Sequence, residues 1–215
     1  MKITSKRSRL ALLTSLGLLA LALVGLGGCV TAVGGGLGIY EPIEFEYDDG
    51  EVAFEIEPQA GSVDIEDAAG RVLARYRMTE GRVAIHDAED VLLGYVIAPD
   101  PRDDDYRVVA SDGMRLLLSL EREADGDLEI EDPRGNKIYQ MKKRDYGFKV
   151  LLSNGVVESR VKSDFDKVKV RDDDGTTILK SNRPMTPEAA VVLSLEKVPF
   201  EYAAGLAIAV SHFGY

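Results

Sequence analysis

The feature that most constrains this chain is an internal repeat of about 20 residues. Turn-type residues recur at intervals of 20, 20, 23, 22, 20 and 20 residues, at Gly50, Gly70, Asp90, Gly113, Gly135, Gly155 and Gly175. Each later turn follows a short segment of alternating apolar and polar residues, such as VDIED at 63–67 or VKVRD at 168–172, and a second strand-like segment follows it. Alternation is typical of half-buried strands, and Gly supplies the positive φ of tight hairpins. The repeat predicts seven hairpins, or about 14 strands.

A meander of this length is expected to close on itself. Twist accumulates by about 20–25° per strand, so large open sheets curl, split or close, and closure removes exposed edge strands. We therefore predict a mainly β chain that forms a closed antiparallel barrel of about 12–14 strands. The interior of such a barrel is too wide for its own side chains to fill, so another element has to occupy it.

The C-terminal segment is predicted to fill the barrel. Thr186-Pro187-Glu188 is typical of a helix start and Pro199 marks a second one, which predicts helices over 187–197 and 199–213. From Tyr202 to Val210 the only polar side-chain group is the Tyr hydroxyl. A helix that is apolar on every face must be surrounded on every face. The second helix would be about 22 Å long, short of a hydrocarbon core of about 30 Å, which favours burial in the barrel over a transmembrane tail.

The N-terminal segment has the pattern of an export signal. Four basic residues precede the almost wholly apolar stretch 10–26, which then runs into Leu26-Gly27-Gly28-Cys29. This ending resembles the lipobox of bacterial lipoproteins. The resemblance implies a signal peptide over 1–28, cleavage after Gly28 and lipidation of Cys29, and the alternatives are a plain membrane anchor and an ordinary signal peptide. Residues 29–41 are Gly-rich and predict a flexible tether, and 42–215 is predicted to be the barrel domain.

Charge and localisation follow from the same segment. The whole chain carries −11, and loss of the signal leaves 22 Lys and Arg against 37 Asp and Glu, or −15. Such a balance argues against nucleic acid as a partner and predicts a surface that repels anionic headgroups. Acyl chains on Cys29 would provide the attachment to a membrane of the cell envelope. In enteric bacteria an Asp after the lipidated Cys retains lipoproteins at the inner membrane, so Val30 favours the outer membrane over the inner.

Taken together, the repeated two-stranded units and the buried C-terminal helix resemble the tubby-like superfamily, and within it the LURP-one-related and scramblase-like proteins. The resemblance covers 63–213 and rests on architecture and on turns such as VDIEDAAGRVL and VKVRDDDGTTIL. It implies a 12-stranded antiparallel barrel around a central helix. Tubby proteins bind phosphoinositides through basic pockets, but the nearest basic cluster in this sequence is the brief Lys142-Lys143-Arg144, so we do not carry that activity over.

Residues that could carry chemistry are few. A single Cys leaves no intramolecular disulfide and no Cys-built zinc site, and no cofactor is expected. The two histidines are His86, which we expect to face solvent or to satisfy a neighbour, and His212, which ends the hydrophobic helix. The only weak metal candidates are two acidic runs that could hold Ca²⁺, although neither has EF-hand spacing: Asp103, Asp104, Asp105 and Asp172, Asp173, Asp174.

We therefore expect a non-enzymatic, lipid-anchored binding or scaffolding module of the cell envelope, with the membrane as one partner and a protein or lipid as another. The alternatives are a scramblase-like role in phospholipid or acyl-chain binding or transfer, a Ca²⁺-dependent structural protein, and a hydrolase, for which no catalytic pair can be nominated. The irregular segment 98–105 (APDPRDDD) is the first candidate for a loop that faces a partner, because loops on rigid barrels often carry binding sites.

Overall fold

A computed structural model of the chain describes residues 39–100 and 105–214. Within these residues the chain forms fourteen strands followed by two helices. The strands are β1 (Ile43–Glu46), β2 (Val52–Gln59), β3 (Ser62–Glu66), β4 (Val72–Thr79), β5 (Arg82–Asp87), β6 (Leu92–Ile97), β7 (Tyr106–Ala110), β8 (Leu116–Arg122), β9 (Leu128–Glu131), β10 (Lys137–Arg144), β11 (Gly147–Leu152), β12 (Val157–Ser163), β13 (Val168–Arg171) and β14 (Thr177–Ser181). The helices are α1 (Pro187–Leu193) and α2 (Phe200–Phe213).

The fourteen strands form one closed antiparallel barrel. Every strand pairs with its neighbours in sequence, and β1 pairs with β14 to complete the wall. The predicted fold class is thereby confirmed: a mainly β chain, a barrel of hairpins, and a buried C-terminal helix. The strand number is two more than the resemblance to tubby-like proteins implies, because the first hairpin, β1–β2, also belongs to the wall.

The turns identified from residue spacing have the backbone conformation that tight hairpins require. The φ angle is positive at all seven turn positions, from 64° at Asp90 to 90° at Gly175. In the turn at Asp67, the N–H of Gly70 donates to the Asp67 carbonyl, and Asp67 Oδ1 accepts from the N–H groups of Ala69 and Arg71. The β3–β4 pairing shifts by one residue beside this turn, as expected for a three-residue loop with a bulge.

Because consecutive strands are antiparallel, alternate turns lie at the same end of the barrel. We call the end that carries the seven repeat turns, from Gly50 to Gly175, the upper mouth. The other end carries the turns at Gly61, Gly81, Gly126 and Gly147, and we call it the lower mouth. The chain enters the described barrel at the lower mouth, where Ile39 and Tyr40 lie beside Gly61 and Gly81.

The lumen is filled by a helical hairpin rather than by one helix. After β14 the chain turns inward, α1 packs against β11 and β12, and α2 returns against β4 to β7. Alternate wall residues point inward and are fully buried, among them Ile65, Tyr76 and Val150. The middle of α2, from Ala203 to Val210, is at most 3% exposed, as its all-apolar sequence predicts.

The helices are shorter than the ranges that the sequence suggested. α1 ends at Leu193 rather than at 197, because Ser194 caps it: both its N–H and its Oγ donate to the Val191 carbonyl. The chain then crosses the upper mouth before Pro199 sets the start of α2. Neither described helix has the length and hydropathy needed to span a bilayer.

Candidate functional site: an apolar groove at the upper mouth

A groove of about 1050 Å³ lies at the upper mouth of the barrel. Its sides come from the β1–β2 hairpin and from β14, and its floor is the linker between α1 and α2. The residues that line it are Tyr47, Asp48, Asp49, Ala53, Phe54, Leu73, Val170, Thr177, Ile178, Leu179, Leu193, Ser194, Leu195, Glu196, Val198, Pro199, Phe200 and Ala203.

The lining of the groove is mainly apolar and partly open to solvent. Phe54 is nearly buried, stacks on Phe45 with ring centroids 4.7 Å apart, and meets the edge of Phe200 at 5.4 Å. By contrast, Leu73 and Ile178 at the margin are 39% and 37% exposed. An apolar surface that is accessible and concave is typical of a binding site.

The charges on the rim of the groove are acidic. Asp48 and Asp49 line one side and Glu196 lines the floor near the opening. Asp49 Oδ1 accepts the N–H of Glu51, which fixes this carboxylate in the turn. A ligand with an apolar body and a basic or neutral end therefore suits this groove better than an anionic ligand does.

The groove lies where the barrel wall is least complete. The register pairs β1 with β14 at Phe45–Ser181 and at Glu46–Lys180, and Asn182 adds two hydrogen bonds to the backbone of Glu44. Above these positions Tyr47 turns away into its hairpin. Among the described strands, Thr177 and Leu179 pair only with residues of β13. The other side of this end of β14 has no neighbour among these strands, so it presents a backbone edge to the groove. We call this incomplete join between β1 and β14 the seam.

The floor of the groove is fixed to the wall by a buried tyrosine. Tyr139 on β10 is fully buried, and its Oη accepts the N–H of Lys197 at 2.9 Å and donates to Glu158 Oε1 at 2.9 Å. Burial raises the pKa of Tyr139, and burial together with the nearby charge of Glu196 raises the pKa of Glu158. This bridge holds the α1–α2 linker in place.

Two further buried tyrosines hold α2. Tyr76 Oη donates to the Glu201 carbonyl at 3.1 Å in the first turn of α2, and Tyr106 Oη donates to the Gly214 carbonyl at its end. With Tyr139 they are the three largest fully buried side chains of the described residues. Each tyrosine thus fills the core and fixes one point of the helical hairpin.

Several site residues proposed from the sequence fall outside the described residues. These are Gly28 and Cys29 of the signal and lipidation site, Asp103 and Asp104 of the first acidic run, and with them residues 101–104 of the 98–105 loop. The structure therefore leaves lipidation, the signal peptide and the 29–41 tether as predictions. Asp105, at the end of that loop, is described just before β7.

The second acidic run serves the hairpin turn between β13 and β14. Asp172 Oδ1 accepts the N–H of Thr176, and Asp173 pairs with Arg160 at 3.2 Å. No group of three or more His, Cys, Asp or Glu side chains in the described ranges is placed to hold a metal ion. His86 lies on the outer face of β5 but is only 7% exposed, and its Nε2 is 3.3 Å from Arg77, which can only donate to it.

The outer wall carries a surface feature that the sequence does not show. The register places basic residues directly opposite one another in two rows, Lys142–Lys149–Arg160–Arg171 and Lys162–Lys169–Lys180. We call these seven residues the basic wall. The sequence shows only the brief run Lys142-Lys143-Arg144, because the larger cluster is formed across β10 to β14 and not along the chain.

A row of acidic residues lies on the other side of the seam. Glu44, Glu55 and Glu66 are directly opposite one another on β1, β2 and β3, and Glu57 lies beside them on β2. We call these four residues the acidic wall. Burial, followed by the charges of neighbouring glutamates, raises the pKa of Glu44 and of Glu55.

Comparisons with known proteins assign no family. No family model and no curated protein matches the chain. An X-ray structure of an Arabidopsis thaliana protein aligns with 72% of this chain and 88% of that one, at 11% identity and a TM-score of 0.40. The structure of an alternansucrase in complex with isomaltononaose aligns with 68% of this chain and 12% of that one, at 18% identity and a TM-score of 0.21. Alignments at this level assign neither a family nor a function.

Proposed function

We propose that this chain is a non-enzymatic, lipid-anchored binding protein of the bacterial cell envelope, and that its upper groove binds an extended, apolar segment of a partner protein. The observation that carries the proposal is the apolar groove with a strand edge along one side.

Binding rather than catalysis is favoured by the chemistry of the lining. The described lining is mainly apolar, and its polar side chains are hydroxyls and carboxylates without histidine or lysine. The Ser194 hydroxyl is engaged in capping α1. The remaining lining groups provide apolar contact and an acidic rim.

The backbone edge of β14 favours an extended peptide over other apolar ligands. A strand added at such an edge gains main-chain hydrogen bonds, and alternate side chains enter pockets beside it. Here the backbone of Thr177–Leu179 would supply the hydrogen bonds, and the pocket between Phe54, Leu195 and Phe200 would receive apolar side chains. The acidic rim suits a peptide that also carries Lys or Arg.

The second candidate ligand is an acyl chain, which the apolar lining alone would also suit. A selection experiment separates the two. The full chain, purified in nonionic detergent, is used to select binders from a library of random decapeptides, and a fluorescent palmitate analogue is titrated in parallel. We expect enrichment of peptides that alternate apolar and basic residues, and no saturable binding of palmitate.

Matched variants locate the binding. Ile178→Asp places a charge in the groove and should abolish binding of the selected peptides, whereas Val156→Asp changes an exposed apolar residue of the β11–β12 turn and should leave binding unchanged. Selected peptides that bind both variants equally would reject the groove as the site. Saturable palmitate binding that is lost in Ile178→Asp would replace the peptide by an acyl chain.

Anchoring is tested separately. Growth of the source bacterium with an alkyne-labelled palmitate should label the chain and place it in the detergent phase of a phase separation. Cys29→Ser should remove the label and leave 1–28 attached. An unlabelled wild-type chain that begins at Met1 would contradict lipidation without affecting the groove.

A further inference from the structure

The basic wall contains like charges directly opposite one another on neighbouring strands, an arrangement that destabilises an isolated sheet. Only part of it is neutralised within the chain: Arg160 pairs with Asp173, Lys162 with Asp164, and Lys180 with Glu46. In the described residues no ion pair within 4 Å involves Lys142, Lys149, Lys169 or Arg171. This face is therefore an unneutralised positive patch on an acidic protein.

The acidic wall is its counterpart in sign and in layout. Glu44, Glu55 and Glu57 likewise take part in no ion pair among the described residues. Glu44–Glu55–Glu66 and Lys162–Lys169–Lys180 are both rows of three residues on three adjacent antiparallel strands. Neighbouring strands lie about 4.8 Å apart, so the two rows have the same spacing and can pair residue by residue.

Within one molecule the two walls adjoin only at the seam. They lie on either side of it and both face outward, because the residues that alternate with them, such as Phe45, Val161 and Val170, point into the core. The Glu46–Lys180 pair is the only ion pair that joins β1 to β14 in the described residues, and it leaves the glutamates of the acidic wall unpaired. A second molecule can neutralise the remaining charges of both walls.

We propose that the basic wall of one copy of this chain docks against the acidic wall of a second copy. Because different surfaces meet, the contact is heterologous, and each copy keeps one wall free for the next copy. Association therefore extends from one copy to the next. This leaves the groove at the upper mouth of each copy open.

A flat anionic surface fits the basic wall less well than the acidic wall does. Acidic turns border the basic wall at both ends, with Asp172, Asp173 and Asp174 above and Asp164 and Asp166 below. A planar anionic bilayer would bring its headgroups against these carboxylates as well as against the lysines. The acidic wall of a second copy is only three strands wide, so its glutamates can contact the lysines that lie between these two sets of acidic turns.

Sedimentation of the full chain in an excess of nonionic micelles tests the proposal. We expect dimers and longer species at about 50 mM salt and monomers at about 500 mM, because pairing of exposed charges is screened. Lys169→Glu and Glu55→Lys each reverse the middle charge of one row, and each variant alone should sediment as a monomer at both salt concentrations.

A mixture of the two variants gives the decisive result. Lys169→Glu retains the acidic wall and Glu55→Lys retains the basic wall, and the two reversed residues are again opposite in charge, so an equimolar mixture should recover the association that neither variant shows alone. Arg134→Glu, in the exposed β9–β10 turn, is the matched charge control and should associate like the wild type. Circular dichroism of each variant identifies a loss of fold, and Lys169→Gln and Glu55→Gln, which should weaken association, replace any variant that does not fold.

Three outcomes would overturn the proposal: a wild-type chain that is monomeric at about 50 mM salt, association that both charge reversals leave intact, or a mixture that stays monomeric. Vesicles of phosphatidylglycerol provide the remaining comparison. If a monomeric wild type binds them and Lys169→Glu does not, the basic wall is a surface for an anionic bilayer and not for a second copy.

Discussion

At the scale of single residues, three buried tyrosines connect the wall to the helices that fill it. Tyr139 is the one that matters most for the groove, because its hydroxyl joins the Lys197 N–H to Glu158. Tyr139→Phe leaves both groups without that partner and should lower the free energy of unfolding by about 1–3 kcal/mol. Chemical denaturation measures the loss, and Tyr40→Phe, at a side chain that is 72% exposed, should change it little. An equal effect of the two substitutions would contradict the stabilising role of the Tyr139 hydrogen bonds.

Glu121 on β8 shows how the outer wall responds to pH. Burial, followed by the charges of Glu131, Glu129 and Glu123, raises its pKa above the usual 4.5. The folded chain thus retains a proton that the unfolded chain has lost, so the free energy of unfolding falls as pH rises from about 4.5 through the raised pKa.

Glu121→Gln replaces the carboxyl group by a neutral amide, so the free energy of unfolding no longer falls when this group ionises. The variant should melt about 1–3 °C above the wild type at pH 7, and the difference should vanish below pH 4, where the wild-type carboxyl is protonated in both states. Melting curves between pH 3 and pH 8 measure this, with Glu89→Gln in the exposed β5–β6 turn as control. A constant difference across that range would contradict the electrostatic explanation.

At the scale of elements, the seam is the part of the wall held by the fewest register pairs. β1 and β14 share two, whereas β4 and β5 share six. Local opening starts where buried contacts and backbone hydrogen bonds are fewest. Native-state hydrogen exchange should therefore be faster in β1 and β14 than in β4 and β5. Equal protection of all four strands would show that the seam is closed as firmly as the rest of the barrel.

At the scale of the whole molecule, the sequence predicts those features that local spacing determines. Positive φ at Gly50 to Gly175 fixes each hairpin, and a helix without a polar face, as in 202–210, has to be enclosed. The sequence does not predict that α1 ends at Leu193. The helix stops there because Ser194 caps it, and the cap forms only in the folded chain.

The groove and the charged walls could not be predicted from the sequence. Both depend on register, which is a property of strand pairing and not of one segment. Twelve residues lie between Lys149 and Lys162, which form no cluster in the sequence, yet Lys149 is opposite Arg160 and Lys162 is opposite Lys169. The groove likewise arises because β1 leaves β14 after Glu46, which the alternation of β1 alone does not indicate.

The claim that the groove binds an extended segment is tested most directly by hydrogen exchange of the full chain with and without a selected peptide. We expect the bound peptide to slow exchange at the amides of Thr177–Leu179 and in the 194–199 linker, and to leave the outer face of β10–β12 unchanged. Saturating peptide without protection at Thr177–Leu179, or with protection confined to another part of the barrel, would contradict strand addition at this groove.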